Sequence, residues 1–239
     1  MQTKLLYLED SYLKEMDAKI LEIKEDGPGQ WRMVLDQTVF YPIGGGQPTD
    51  QGKLTSGDLT YDVYLVMIKD GEVWHYLKSQ SPSTVGSQLK GVVNWDRRYK
   101  NMKVHSAGHV VDFAMYILGY SPQKLFPLKG DHGKKSFIIY KGTLEKDIRG
   151  ELENKSNELV TKNLKLENFF QHFEELKKEA IYLQAGLPTN KPLRTLKLET
   201  VGSVADGGTQ VAATGEIGKI TIPEITTSED NTIIRYTVV

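Results

Sequence analysis

The sequence predicts an α+β chain that opens with a small β-barrel, and three observations carry that prediction. Short apolar runs alternate with period two through about the first ninety residues, separated by glycine and aspartate turns. After Trp95 the apolar period lengthens to that of a helix. Beyond residue 135, strand-like and helix-like stretches follow one another to the end. Of the 239 residues, 1–94 are expected to form the barrel with a glycine-rich loop, and 95–239 a second, α+β domain.

In chain order, residues 16–36 read as two strands around the turn Asp26-Gly-Pro-Gly. Leu59–Ile68, Val73–Leu77 and Leu89–Val93 continue the pattern, separated by turns such as Asp70-Gly71. Val104, Ala107, Gly108, Val111, Ala114, Met115 and Leu118 then share one helical face, with Asp96 as expected N-cap and Gly119 as stop. Lys135–Tyr140 reads as a strand. Leu144, Ile148, Leu152 and Leu159 mark a second helix, and Phe173, Leu176, Ala180 and Leu183 a third, closed by Gly186 and Pro188. Strands are expected at Leu193–Leu198, Lys219–Ile222 and Thr232–Val238.

Composition narrows the chemistry. With 39% hydrophobic and 26% charged residues the chain is globular. It has no cysteine, which excludes disulfides, thiolate ligands and a cysteine nucleophile. No apolar run approaches the ~18–20 residues of a membrane span, and the first ten residues lack the pattern of a secretory leader. A cytoplasmic location is the expectation. Thirty basic against 31 acidic residues leave a net charge of −1, so any polyanion contact rests on a local patch. Arg97, Arg98, Lys100 and Lys103 form such a patch, a net +3 over residues 96–103 at a helix start, and suit an RNA phosphate backbone. Lys124, Lys129, Lys134, Lys135 and Lys141 either extend it or are ordinary solvated lysines.

Three segments stand out. Thr38-Val-Phe-Tyr-Pro-Ile-Gly-Gly-Gly-Gln-Pro-Thr-Asp50 is a glycine loop that lacks the lysine of a phosphate-binding loop and the spacing of a dinucleotide fingerprint. By composition it is a tight loop, with Phe40 and Ile43 either shaping a pocket or packing the barrel. His105-Ser-Ala-Gly-His109 puts two imidazoles at i and i+4, on one helix face and close enough to share an ion. Asp112 is placed to orient a ring nitrogen, whereas His75, His132 and His172 stand apart and carry no assigned role. Asp206-Gly-Gly-Thr-Gln210 followed by Thr-Gly-Glu-Ile-Gly218 is a second glycine-rich loop, in which Asp206 is suited to bond its own backbone. Ser106 is not expected to be a nucleophile.

Together these segments resemble the editing half of alanyl-tRNA synthetase and its free-standing relatives, the AlaX proteins, of which the medium form matches in length and in its N-terminal barrel. The family's Thr-x-Phe-Tyr-Pro-x-Gly-Gly-Gly-Gln-Pro-x-Asp loop is matched by residues 38–50. Its Trp-x-Arg-Arg run before His-x-x-x-His is matched by Trp95, Arg97, Arg98, His105 and His109, and its Cys-Gly-Gly-Thr-His motif in part by residues 206–210. The resemblance implies an editing-type fold and trans-editing: hydrolysis of the ester joining a wrong amino acid, serine or glycine, to the acceptor end of tRNA(Ala). It implies a zinc ion held by His105, His109 and the positions of Asp206 and Gln210. It also implies substrate contacts from Thr38, Gly45, Gly46, Gln47, Gly207 and Gly208, with Thr38 meeting the seryl hydroxyl. His105, His109 and Asp206 are then the catalytic candidates.

Asp206 and Gln210 depart from the family's Cys and His. A carboxylate is an acceptable zinc ligand and an amide a poor one. Three readings stay open: a weaker zinc site of His105, His109 and Asp206, a metal-free hydrolase, or a non-catalytic relative that binds tRNA or protein through a degenerate site. A metal hydrolase of small amides or esters is a fourth.

Overall fold

A computed structural model describes residues 3–79 and 83–239. The chain divides into two units, Met1–Lys100 and Asn101–Val239. The first holds β1 (Lys4–Leu5), α1 (Leu6–Glu9), β2 (Glu15–Glu25), β3 (Gln30–Leu35), β4 (Gln37–Thr38), β5 (Gly52–Ser56), β6 (Leu59–Lys69), β7 (Glu72–Lys78) and β8 (Gln88–Val93). Helix α2 (Trp95–Ile117) follows. The second holds β9 (Phe126–Asp131), β10 (Phe137–Lys141), α3 (Arg149–Thr161), β11 (Leu166–Gln171), α4 (Phe173–Glu179), β12 (Leu193–Leu198), β13 (Gly202–Ala205), a 3₁₀ turn (Thr214–Glu216), β14 (Ile220–Ser228) and β15 (Asn231–Val238). Among the described residues no helix is long and apolar enough to cross a membrane.

The expected barrel is present. Six antiparallel strands close in the order β2-β3-β7-β6-β5-β8. In β2, Met16, Ala18 and Ile20 point inward at alternate positions, and Met33, Leu35, Leu54, Tyr61, Val63 and Leu77 fill the same core. Closure leaves no edge strand to pair with a neighbour, which suits a small sheet that must be stable by itself.

The glycine loop is held to the barrel by a buried ion pair. Arg98 and Asp50 are both fully buried; Nε of Arg98 donates to Oδ2 of Asp50 at 2.7 Å and Nη2 donates to the same oxygen. Arg98 also donates to the carbonyls of Ser11 and Val39, and Asp50 accepts the Tyr41 N–H at 2.7 Å. Arg98, expected from sequence to face RNA, is therefore consumed inside this unit: its charge is desolvated and met by Asp50 and by the carbonyls of Ser11 and Val39. Arg97 stays partly exposed and donates to the Thr49 carbonyl.

The second unit contains an antiparallel sheet β14-β15-β10-β9 and a three-stranded sheet β11-β12-β13. Helix α3 is tied to the first, since the Asn157 side chain bonds both the N–H and the carbonyl of Ile220. Three boundaries differ from expectation. Asn94, not Asp96, caps α2 by accepting the Arg97 N–H. Helix α3 starts at Arg149, leaving Leu144 outside, because Asp147 accepts the Arg149 N–H in a local turn. Helix α4 stops at Glu179, since Ala180 and Ile181 pair with Ser203. Met1 and Gln2 of the N-terminal stretch lie outside the described residues.

Candidate active site

In the second unit, α2 supplies His105 and His109, one turn apart and both buried, with ring centroids 5.0 Å apart. The segment after β13 brings up the third group. The Asp206 N–H bonds the Arg194 carbonyl, extending the β12–β13 pairing by one residue, and Asp206 Oδ1 accepts the Gly208 N–H at 3.1 Å. This is the local turn that Asp-Gly-Gly favours, and it aims the carboxylate at the helix. Oδ1 lies 3.5 Å from Nε2 of His105 and 3.4 Å from Nε2 of His109. The three donor atoms lie within 4.8 Å of one another.

The other carboxylate oxygen is held from behind. Gln210 Nε2 donates to Asp206 Oδ2 at 2.9 Å, and Arg194 Nη1 lies 3.4 Å from it while also reaching the carbonyls of Asp206 and Gly208. Gln210 Oε1 in turn accepts the Ser106 hydroxyl at 2.5 Å, and Ser106 Oγ accepts the Val211 N–H. Gln210, expected as a metal ligand, has both ends of its amide engaged in this network. Its amide oxygen accepts from Ser106 while its amide nitrogen donates to Asp206. The Ser106 proton is committed as well, as its exclusion as a nucleophile requires.

Electrostatics follow from burial and from Asp206. Burial pushes the Asp206 carboxyl up, but His105, His109 and Arg194 together hold it well below the usual carboxylate range. Burial lowers His105 to about 4 against the pull of Asp206. For His109 burial acts in the same downward sense, yet contact with Asp206 and the field of Asp112 outweigh it and raise the ring's proton affinity. Asp112, expected to orient a ring nitrogen, lies 4.0 Å from Nδ1 of His109 and accepts hydroxyls from Tyr140 and Tyr182.

The donor set fits a zinc ion. His109 is buried, and beyond the 3.4 Å contact of Nε2 with Asp206 its ring nitrogens make no closer hydrogen bond, so a cation at Nε2 would have a donor waiting for it. Two imidazoles and a carboxylate are an accepted catalytic set, with a fourth position open. Gly207 is exposed, and a Cβ there would meet nothing within 4 Å.

Sequence reasoning missed Arg194, which sits in β12 beside another cation, Lys197, and carries no local signal that sets it apart. It also missed His132, whose ring stacks on His105 at 4.2 Å between centroids. In the first unit, Thr38 is fully buried; its hydroxyl lies 2.8 Å from Nε2 of His75 and accepts the Phe40 N–H. Phe40 packs in the barrel core, whereas Ile43 is half exposed. Gly45 and Gly46 form the turn between Gly44 and Gln47, and Gln47 is buried.

Residues 2–97 match the family described as tRNA synthetases class II (A). The chain is 34% identical over 228 residues to an alanine–tRNA ligase of Halobacterium salinarum, covering 92% of this chain and 24% of that protein. It thus spans about a quarter of the length of such ligases. It is 32% identical over 228 residues to the alanyl-tRNA editing protein AlaX-M of Saccharolobus solfataricus, covering 93% of each. To AlaX-L of Pyrococcus horikoshii it is 30% identical, covering 91% of this chain and 53% of that protein.

Proposed function

The chain belongs to the alanyl-tRNA editing family, that of the AlaX proteins, and from that premise we propose that it is an aminoacyl-tRNA deacylase that trans-edits mischarged tRNA(Ala) in the cytoplasm. Ser-tRNA(Ala) is the first substrate and Gly-tRNA(Ala) the second. The observation that carries the reading is the placement of Asp206 Oδ1 within 3.5 Å of both Nε2 atoms of a buried histidine pair. A degenerate site would have no reason to hold that carboxylate by Gln210 and Arg194.

An aminoacyl ester is already activated, so the site has only to position water, stabilise the developing oxyanion and exclude the alanyl ester. A zinc ion on His105, His109 and Asp206 would supply Lewis acidity at the ester carbonyl. The chain's own groups do the rest. Asp206 stays ionised beside the histidines, and Gln210 and Arg194 fix its orientation before substrate arrives. Gly207, exposed and with nothing within 4 Å of where a Cβ would stand, leaves the position next to Asp206 free of a side chain. Selection of serine is assigned to Thr38.

The test is single-turnover deacylation of seryl-, glycyl- and alanyl-tRNA(Ala), with and without a zinc chelator. Release of serine and glycine with alanine spared, slowed at least tenfold by chelator and by His109→Ala, is the expected result. Tight tRNA binding with every ester left intact would establish the binding-only reading instead.

A further inference from the structure

His132 takes no part in the reading above, yet it is built into the site. It follows β9 directly and is buried, and its ring lies face to face with His105, the planes 21° apart and the centroids separated by 4.2 Å. Its distance to the His109 ring is longer, 6.1 Å. The Tyr236 hydroxyl is hydrogen-bonded to His132 Nδ1 at 2.5 Å and also lies 3.1 Å from the Val104 carbonyl.

Two glycines make the space. A Cβ on Gly108 would sit 2.7 Å from both Cε1 and Nδ1 of His132, and one on Gly130 would sit 2.6 Å from Nε2. Gly108 lies between the two ligand histidines inside α2, where glycine weakens a helix relative to alanine. The helix carries that weakness at the one turn where a third imidazole lies flat against the first.

We infer that His132 is a positioning residue: clamped by Gly108, Gly130 and Tyr236, its ring holds the His105 imidazole in the orientation that aims Nε2 at Asp206. Among the described residues, the donor atoms that gather within 4.8 Å of one another belong to His105, His109 and Asp206 and not to His132, so His132 acts through His105 and not as a ligand. The inference deepens the deacylase reading and rests on it for the identity of the site.

The experiment compares wild type with His132→Phe, His132→Ala and Gly108→Ala. One readout is the ring signals of His105 by NMR in the metal-free protein. A second is zinc retention against a competing chelator. His105 gives one sharp set of signals in wild type and His132→Phe, and broadened or doubled signals in His132→Ala and Gly108→Ala. Zinc is lost about 10–100-fold more readily from the latter two, the usual penalty for removing a group that orients a ligand, and within threefold of wild type from His132→Phe. Unchanged His105 signals in Gly108→Ala or His132→Ala overturn the proposal. So does a His132→Phe protein as impaired as His132→Ala, which would mean that the nitrogen acts and not the ring. Deacylation is scored separately: a wild type that hydrolyses no ester rejects the deacylase reading while the NMR comparison still decides the role of His132.

Discussion

At Thr38 the hydroxyl proton has an owner. His75 Nδ1 lies 3.2 Å from the Met33 carbonyl and donates to it, so Nε2 is the acceptor and Thr38 the donor. A seryl hydroxyl can then meet Thr38 only by donating to its remaining lone pair. Thr38→Val removes that acceptor and leaves His75 Nε2 and the Phe40 N–H unpaired. A stability loss of about 1–3 kcal/mol is expected in urea denaturation, together with a fall of about tenfold in the seryl-to-glycyl deacylation ratio. A parallel loss for both esters would assign Thr38 to loop support alone. His75 itself predicts a pH dependence. Burial lowers it from 6.5 to about 4, only partly opposed by the Met33 carbonyl. Its contribution is fully present above pH 6.5, where both states are neutral. It is lost as pH falls toward 4, because the unfolded chain takes up the proton first. Between pH 7 and 4.5, wild type should lose about 2–3 kcal/mol more than His75→Asn. Equal slopes for the two would show that this ring is solvated in solution.

Among the elements, the loop from residue 38 to 50 shows how far a motif can be read without its partners. Gly45 and Gly46 have φ of +54° and +78°, the paired left-handed conformation of a tight two-residue turn, closed by the Gln47 N–H on the Gly44 carbonyl at 2.9 Å. Gly45→Val should cost about 1–2 kcal/mol from backbone strain, and Gly45→Asn far less. Lost deacylation with unimpaired stability in Gly45→Asn would assign the turn a contact role beyond its conformation. The glycines were legible because local sterics demand them. The job of Asp50 was not, since its partner Arg98 lies 48 residues away, and no local pattern separates a buried arginine from one facing RNA. Asp50→Asn strands that guanidinium, and a loss of about 3–5 kcal/mol by denaturation is expected. The same division runs through the second unit. The stripe of α2 and the i, i+4 histidines were visible because a helix is local. Strands β5, β9, β11 and β13 were not, because short strands are defined by pairing. Asp206 was found by its place in a motif, while the hydrogen bond that engages the Gln210 amide oxygen comes from Ser106, 104 residues distant.

For the whole molecule, charge decides how tRNA is held. A net charge of −1 gives no long-range attraction for a polyanion. The basic start of α2 also has one cation fewer than its sequence suggests, because Arg98 is buried against Asp50. Arg97, Lys100 and Lys103 remain as the proposed phosphate contacts, with Arg97 partly engaged at Thr49. Each contact on a nucleic-acid backbone contributes about −0.7 to −0.9 to the slope of log K against log salt, so three contacts predict a slope of about −2 to −3. Paired Lys100→Glu and Lys103→Glu substitutions should flatten that slope by about 2 units. They should weaken seryl-, glycyl- and uncharged tRNA alike, because phosphate contacts carry no information about the amino acid. Single-turnover rates at saturating protein should be unchanged, since neither lysine belongs to the cluster around Asp206. Filter binding across a salt series measures the slope. A wild-type slope steeper than about −5 would mean that a larger surface holds the tRNA, and a slope unmoved by the double substitution would place the contacts away from the start of α2.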